Sequence, residues 1–348
     1  MKSKNVIWLV ILLMVTGAIV CLGFVYSNSK KPEQSRDSFV APLKSKEVDT
    51  FQDVYFQGDK SGFTVFIKGS KVDSNKYISY RVNHQQKDLN KKDSTSNYNV
   101  WKLDGAYEAS LVNGVFKKTK EVVTTGEWEL ALKEQGASDF IGGSLHGDEI
   151  TTLIDLEIDG EKVNEENISK FNKDVKEIKF IVNSELYRDN TMSEELQKIG
   201  LHTKLFTFNR GGILIDQSVE FLEDIILDRS YLAMLPILRK SNGDSGEQVT
   251  DSIRVSTIDA EFDVGEANFD IPEIKYIEEN KATISGKSSG IIADVEIVSK
   301  SAELPTVFFI SNSLQYNKLY FSYNEDGYTA QKNEIWNQTT KYFIDTSN

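Results

Sequence analysis

The sequence predicts an all-β body, an antiparallel β-sandwich of jelly-roll type, preceded by one N-terminal transmembrane helix. Three observations carry that expectation. Apolar and polar residues alternate with period two through most of the chain after Phe51, Asp-Gly and Asn-Gly steps punctuate the alternating runs, and one long uncharged apolar stretch stands near the N-terminus. Period-two alternation gives an extended strand one dry and one wet face. Many such runs at roughly 10–15-residue spacing, without long helical patterns between them, favour stacked antiparallel sheets. No fixed-period repeat is present, so a propeller or solenoid is disfavoured.

Residues 1–5 form a short polar tail with Lys2 and Lys4, and residues 6–26 (VIWLVILLMVTGAIVCLGFVY) follow without a charge. At about 1.5 Å per residue, a helix of that length crosses a hydrocarbon core about 30 Å thick. Trp8 and Tyr26 sit near its two ends, where amphipathic rings prefer the interface. Lysines stand on both sides (Lys30 and Lys31 beyond it), so charge counting leaves the orientation open. The short tail resembles the leading region of an exported protein, which puts residues 1–5 in the cytoplasm and the large domain outside the cell. A cleaved signal peptide is the competing reading, although its apolar region is usually about 7–15 residues. A lipoprotein is disfavoured because Val20 precedes Cys21, where a small residue is wanted. Residues 27–50 are polar, carry Pro32 and Pro42, and show little periodicity, the pattern of a tether.

The body is expected over residues 51–348. Strands are expected at 62–68, 76–82, 127–133, 151–158, 177–182, 204–209, 212–222, 253–258, 290–298, 306–310 and 318–323. Turns are expected at Asp159-Gly160, at residues 209–212, at Asn242-Gly243 and at Asp326-Gly327. A short helix is expected at 193–199, which opens with Ser193 and two acidic residues. Residues 55–58 (YFQG) look like a protease-tag fragment, but without its upstream residues they read as native strand. Residues 88–99 and 239–248 are long polar loops, natural places for a binding site on a rigid sandwich.

The 348-residue chain carries a formal charge of -13, with 39% hydrophobic and 11% aromatic residues. That is ample apolar material for a core. Such acidity repels phosphate backbones and excludes nucleic acid as a partner. The only cysteine is Cys21 in the apolar stretch, so the body holds no disulfide, thiolate metal site or cysteine nucleophile. An exported body without cysteine fits a Gram-positive bacterium. No phosphate-binding loop, dinucleotide fingerprint, nucleophile elbow or zincin motif occurs.

The densest chemical signal is residues 139–149 (DFIGGSLHGDE), which join two glycine steps to His146, Asp148 and Glu149. Glycines permit tight turns and close ligand approach, and the imidazole with two carboxylates could supply a proton-transfer group or oxygen ligands for a hard cation. No cofactor is expected, although those oxygen ligands could take a calcium ion. Histidines 84, 146 and 202 are too scattered to specify zinc. Glu127 and Glu129 share a strand face, a weak echo of a glycosidase carboxylate pair. In residues 316–323 (YNKLYFSY), alternation puts Tyr316, Lys318 and Tyr320 on one face, where phenols can stack on a sugar and the ammonium can attract a carboxylate. Tyr231 opens an apolar run that could line the same kind of face, and Arg239 closes it.

Residues 316–320 (YNKLY) resemble the late aromatic-x-Lys strand, ending in tyrosine, of jelly-roll polysaccharide lyases of the alginate-lyase and heparinase types. The resemblance covers about five residues. It implies β-elimination on a uronate: a tyrosine gives or takes a proton, a histidine helps take the C5 proton, and an Arg, Asn or Gln neutralises the carboxylate. The matching candidates are Tyr320, His146 or His202, and Arg81 or Arg239. Asp148, Glu149, Tyr231, Tyr316 and Lys318 would bind substrate. Function then reads as a membrane-tethered extracellular protein that binds or cleaves a polysaccharide or cell-envelope glycan. A non-catalytic glycan-binding, adhesion or structural module is the alternative.

Overall fold

The alternation from Phe51 onward becomes strand after strand, because each run can bury one face against a second sheet. The computed structural model describes residues 53–346 apart from 71–74, 87–98, 125, 127, 144–148, 189–196, 242–245, 251, 256–259, 264–276, 302–306 and 313–314. The expected cytoplasmic tail, membrane span and tether lie outside the described residues, as do His146 and Asp148. Among the described residues no helix is long and apolar enough to cross a membrane. The body belongs to a compact unit, Lys46–Asn348.

In chain order the early strands are β1 (Val54–Asp59), β2 (Gly62–Lys68), β3 (Lys76–Gln86), β4 (Asn99–Val112), β5 (Val115–Val123), β6 (Ala131–Glu134), β7 (Glu149–Ile158) and β8 (Glu161–Val163). A 3-10 turn at Glu165–Lys170 buries Ile168 and leads to β9 (Asn172–Val175) and β10 (Glu177–Tyr187). Then come β11 (Lys198–Asn209), β12 (Gly212–Phe221), β13 (Ile225–Leu238), β14 (Ser252–Val255), β15 (Ala260–Asp263) and β16 (Ile277–Glu278). The chain ends with β17 (Lys281–Ser285), β18 (Ile291–Lys300), β19 (Val307–Asn312), β20 (Tyr316–Ala330) and β21 (Ile335–Thr346).

Pairing builds two antiparallel sheets. The first runs β9-β1-β2-β3-β4-β5-β13-β20-β19-β16, with β6 also laid along β13. The second runs β8-β7-β10-β11-β12-β21-β18-β17-β14-β15. A single parallel bridge, Asn99 with Ile150, joins them. Their inner faces pack together. Phe63 of the first sheet meets Phe180 at 5.2 Å and Phe208 at 6.1 Å, Trp101 meets Phe180 at 5.4 Å, and the Tyr342 hydroxyl donates to the Trp128 carbonyl at 2.8 Å. The expected β-sandwich is present. The runs β1 to β5 and β10 to β12 follow one another hairpin by hairpin, and non-consecutive pairs such as β5 with β13 and β12 with β21 complete the sheets, an order that differs from that of a jelly roll.

Local expectations fared unevenly. Residues 55–58 are native strand in β1, and Asp159-Gly160 (φ 54° and 82°) makes the β7–β8 turn with two left-handed residues, the type I′ geometry that matches strand twist. Asp326-Gly327 makes no hairpin: it lies inside β20. The end of the expected helix is strand, since β11 starts at Lys198, and residues 191–196 lie outside the described set. The strand expected at 127–133 is cut to Ala131–Glu134; Trp128 stands outside it with its ring buried, and its carbonyl accepts from the Met234 N–H at 2.8 Å.

Candidate functional site

Two chemically distinct places emerge, one between the sheets and one on the outer face of the first sheet. In β11, alternation sends His202, Lys204, Phe206 and Phe208 inward, so an imidazole and an ammonium share the apolar face of a strand. Glu149 opens β7 and meets them: Lys204 Nζ donates to its Oε1 at 3.1 Å, and His202 Nδ1 lies 3.3 Å from the same oxygen. All three are essentially removed from solvent. Burial alone would raise the Glu149 pKa; the Lys204 ammonium, His202 and the Gly143 N–H outweigh it and hold the carboxyl well below the usual carboxylate value. Lys204 Nζ also approaches the Trp101 carbonyl at 3.4 Å, and His202 Nε2 lies 3.3 Å from Gln217 Oε1. Gln217 and Gln338 each donate to the Leu232 carbonyl of β13.

The outer place is built by β20, where Leu319 and Phe321 enter the main core and Tyr320 between them must point the other way. There Tyr320 stacks on Phe309 of β19 (4.6 Å, 6° between planes) and lies 4.9 Å from the Tyr231 ring of β13. Phe140, from the segment after β6, packs over Tyr231 at 5.7 Å. Phe309 and Tyr231 are buried, while Tyr320 and Phe140 are half-buried and form the accessible top of the cluster. Two ammonium groups attend it: Lys318 Nζ stands 4.9 Å above Tyr320 and Lys133 Nζ 5.5 Å above Phe140. In a chain of net charge -13, this aromatic bed thus carries two ammonium groups.

The same outer face carries a second polar group on β1 to β5. Arg81 forks onto Asp59 (2.6 and 2.9 Å) and donates to Ser61 Oγ at 2.7 Å; Asn83 and Gln85 both donate to Asp104. Burial would raise the Asp59 pKa, and the Arg81 clamp brings it below the ordinary value. Lys118 Nζ lies 4.4 Å over the Tyr107 ring. This end of the sheet is curled: the rings of Tyr55 in β1 and Phe116 in β5 are 5.0 Å apart, where four flat strand spacings would give about 19 Å. The outer face is therefore concave there.

Of the residues expected to act, the structure brings Glu149 to His202, and Tyr231, Lys318 and Tyr320 to one another. It does not bring the two groups together, since His202 faces the interior from the second sheet and Tyr320 faces outward from the first. Arg239 lies just beyond β13, five positions past Met234, the partner of Tyr320, or about 16 Å along an extended strand. Its N–H donates to the Gln315 carbonyl and its own carbonyl accepts from Val249 N–H at 2.7 Å. Tyr316 pairs with Leu238 and packs against the main core, away from the Tyr320 rings. Glu129 makes no glycosidase pair on an open face; it is buried and accepts the Leu103 and Trp128 N–H groups. Among the described residues no cluster of His, Cys, Asp and Glu is arranged to hold a metal. Sequence reasoning missed Lys204, Gln217, Lys133, Phe140 as a ring, and Phe309. For Lys204 the signal was there, in the alternation of β11.

No protein-family model matches the sequence, and no curated protein matches it significantly. Among solved structures, the galactosidase domain of an α-galactosidase-sucrose kinase is similar over 82% of this chain at 7% identity and a TM-score of 0.44; the match spans 41% of that chain, about two fifths of its length. A galactose mutarotase-like protein from Clostridium acetobutylicum is similar over 83% of this chain and all of its own, at 11% identity and a TM-score of 0.37. The Slr1438 protein from Synechocystis is similar over 87% of this chain and all of its own, at 8% identity and a TM-score of 0.36.

Proposed function

We propose that this protein is a glycan-binding module of the cell envelope, tethered by its N-terminal segment and holding an acidic saccharide on the outer face of its first sheet. The observation that supports this reading is the half-buried Tyr320 ring, backed by Phe309 and Tyr231 and topped by the Lys318 ammonium. Sugar C–H faces pack on such rings, and a uronate carboxylate would replace the ring as partner of the ammonium. Arg81, already oriented by Asp59, would serve a further acidic residue on the concave end.

Binding is favoured over β-elimination. A base must come within hydrogen-bond reach of the C5 proton; buried His202 shares no face with Tyr320, so β-elimination would fall to His146, which lies outside the described residues. Screening the full chain in detergent micelles against a glycan array, with parallel absorbance assays on polyuronates, tests both points. Retention of acidic glycans with no unsaturated product is expected. Product formation would restore the lyase reading, and silence across the array would remove the glycan one.

A further inference from the structure

The buried ion cluster and the outer aromatic face are joined by two hydrogen-bonded arms. In the first arm, Gly142 and Gly143 (φ +107° and +68°) turn the chain so that Gly143 N–H donates to Glu149 Oε2 at 2.7 Å. Three residues upstream is Phe140, and between them Ile141 is bridged to Leu132 of β6 in both directions (2.9 and 2.6 Å). The segment that carries Phe140 is thus fixed at one end by β6 and at the other by a carboxylate that Lys204 and His202 hold in place.

In the second arm, His202 contacts Gln217, and Gln217 with Gln338 saturates the carbonyl of Leu232. Leu232 is the extra residue of a bulge in β13, between Tyr231 and Ala233. A bulge re-aims the side chain beside it and leaves backbone groups unpaired unless something claims them. Here the two glutamines claim that carbonyl, and the side chain next to it is Tyr231. Both arms end on the stacked pair Phe140 and Tyr231.

We infer that Glu149 and Gln217 are positioning residues for the outer face: the interior cluster sets where Phe140 and Tyr231 stand, and so sets the shape of the bed beneath the ligand. This rests on the glycan-binding reading for its purpose, but its structural half can be tested without a ligand. A buried charge network that served packing alone would have no reason to terminate at these two backbone points.

The test uses the full chain in detergent micelles as wild type, Glu149→Gln, Gln217→Met, Phe140→Ala and the doubles that join Phe140→Ala to each of the first two. Amide hydrogen exchange is read over residues 139–143 and 231–233, and affinity is read with oligogalacturonate as the probe. Glu149→Gln is expected to speed exchange at 140–143 at least tenfold, and Gln217→Met to do so at 231–233, both ahead of the rest of the sheets. Each should weaken oligogalacturonate binding about tenfold alone and less than twofold when Phe140 is already Ala. Exchange that rises evenly over the body, or losses that add in the doubles, would overturn the inference. If Glu149→Gln does not fold, Gln217→Met decides it. If the wild type ignores the probe, the exchange pattern still decides this inference, and the binding failure counts against the function proposed above.

Discussion

Glu149 is where the chain spends most to gain definition. A carboxylate removed from water is costly, and it is stable there only while Lys204, His202 and Gly143 N–H surround it. Glu149→Ala takes the buried carboxylate away from the Lys204 ammonium and should cost about 3–5 kcal/mol, read as a lower urea midpoint. The pH dependence follows from the depressed pKa. A carboxyl held below its unfolded value contributes stability above that value, and the contribution disappears as pH falls toward the folded pKa. Thermal stability should therefore drop on acidification below about pH 4.3, the ordinary glutamate value, and Glu149→Gln should show a shallower drop. Equal slopes would mean that folding leaves the Glu149 pKa unshifted. Both Glu149 and His202 were legible in the sequence as chemistry. That they act on each other was not, since the pairing joins β7 to β11 across β10, and neither strand's pattern encodes its neighbour.

At the scale of the element, alternation located many of the strands with one wet face, such as β10, β12 and β18, but missed β5, β17 and β21. It failed at β13, whose run YLAMLPIL has no polar beat, because that strand is buried on both faces: Ala233, Leu235 and Ile237 enter the main core while Tyr231 and Met234 lie under the outer aromatic cluster. It failed at β4 because the ladder slips between Tyr80 and Val82, where Asp104 and Gly105 together oppose Arg81, and slips twice more against β5. Gly327 takes a left-handed φ of 82° inside a strand, so the Asp-Gly signal there is genuine backbone geometry in the wrong setting for a hairpin. Gly212 shows what a glycine secures at a strand start. Its φ is +104°, and a Cβ there would stand 2.3 Å from the Tyr342 carbonyl oxygen. Gly212→Ala should destabilise the body by at least about 1–3 kcal/mol, with an unchanged urea m-value. A variant as stable as the wild type would show that β12 and β21 can part locally without penalty.

For the molecule as a whole, composition made the all-β class and the sandwich readable, since both follow from one-sided burial of many short strands. The order of strands was not readable, because a meander and a jelly roll use the same alternation and differ only in which edges meet. The outer site was half legible: Lys318, Tyr320 and Tyr231 stood out, whereas Phe140, Phe309 and Lys133 join them only through tertiary packing. The N-terminal stretch belongs to this scale too. If residues 6–26 anchor the chain, the full-length protein should pellet with membranes, resist high salt and dissolve in detergent. Removal of residues 1–26 should free it with an unchanged β-type circular-dichroism spectrum. A full-length protein recovered from the soluble fraction would end the tether proposal.

The central claim is that the Tyr320 face holds an acidic glycan, and titration of the strongest acidic ligand against side-chain variants tests it most directly. Tyr320→Ala and Lys318→Ala should each weaken binding about tenfold, roughly the worth of one ring or one desolvated cation contact, while Lys162→Ala on the distant β8 leaves it unchanged. Full affinity in both face variants, with folding intact, would contradict the claim.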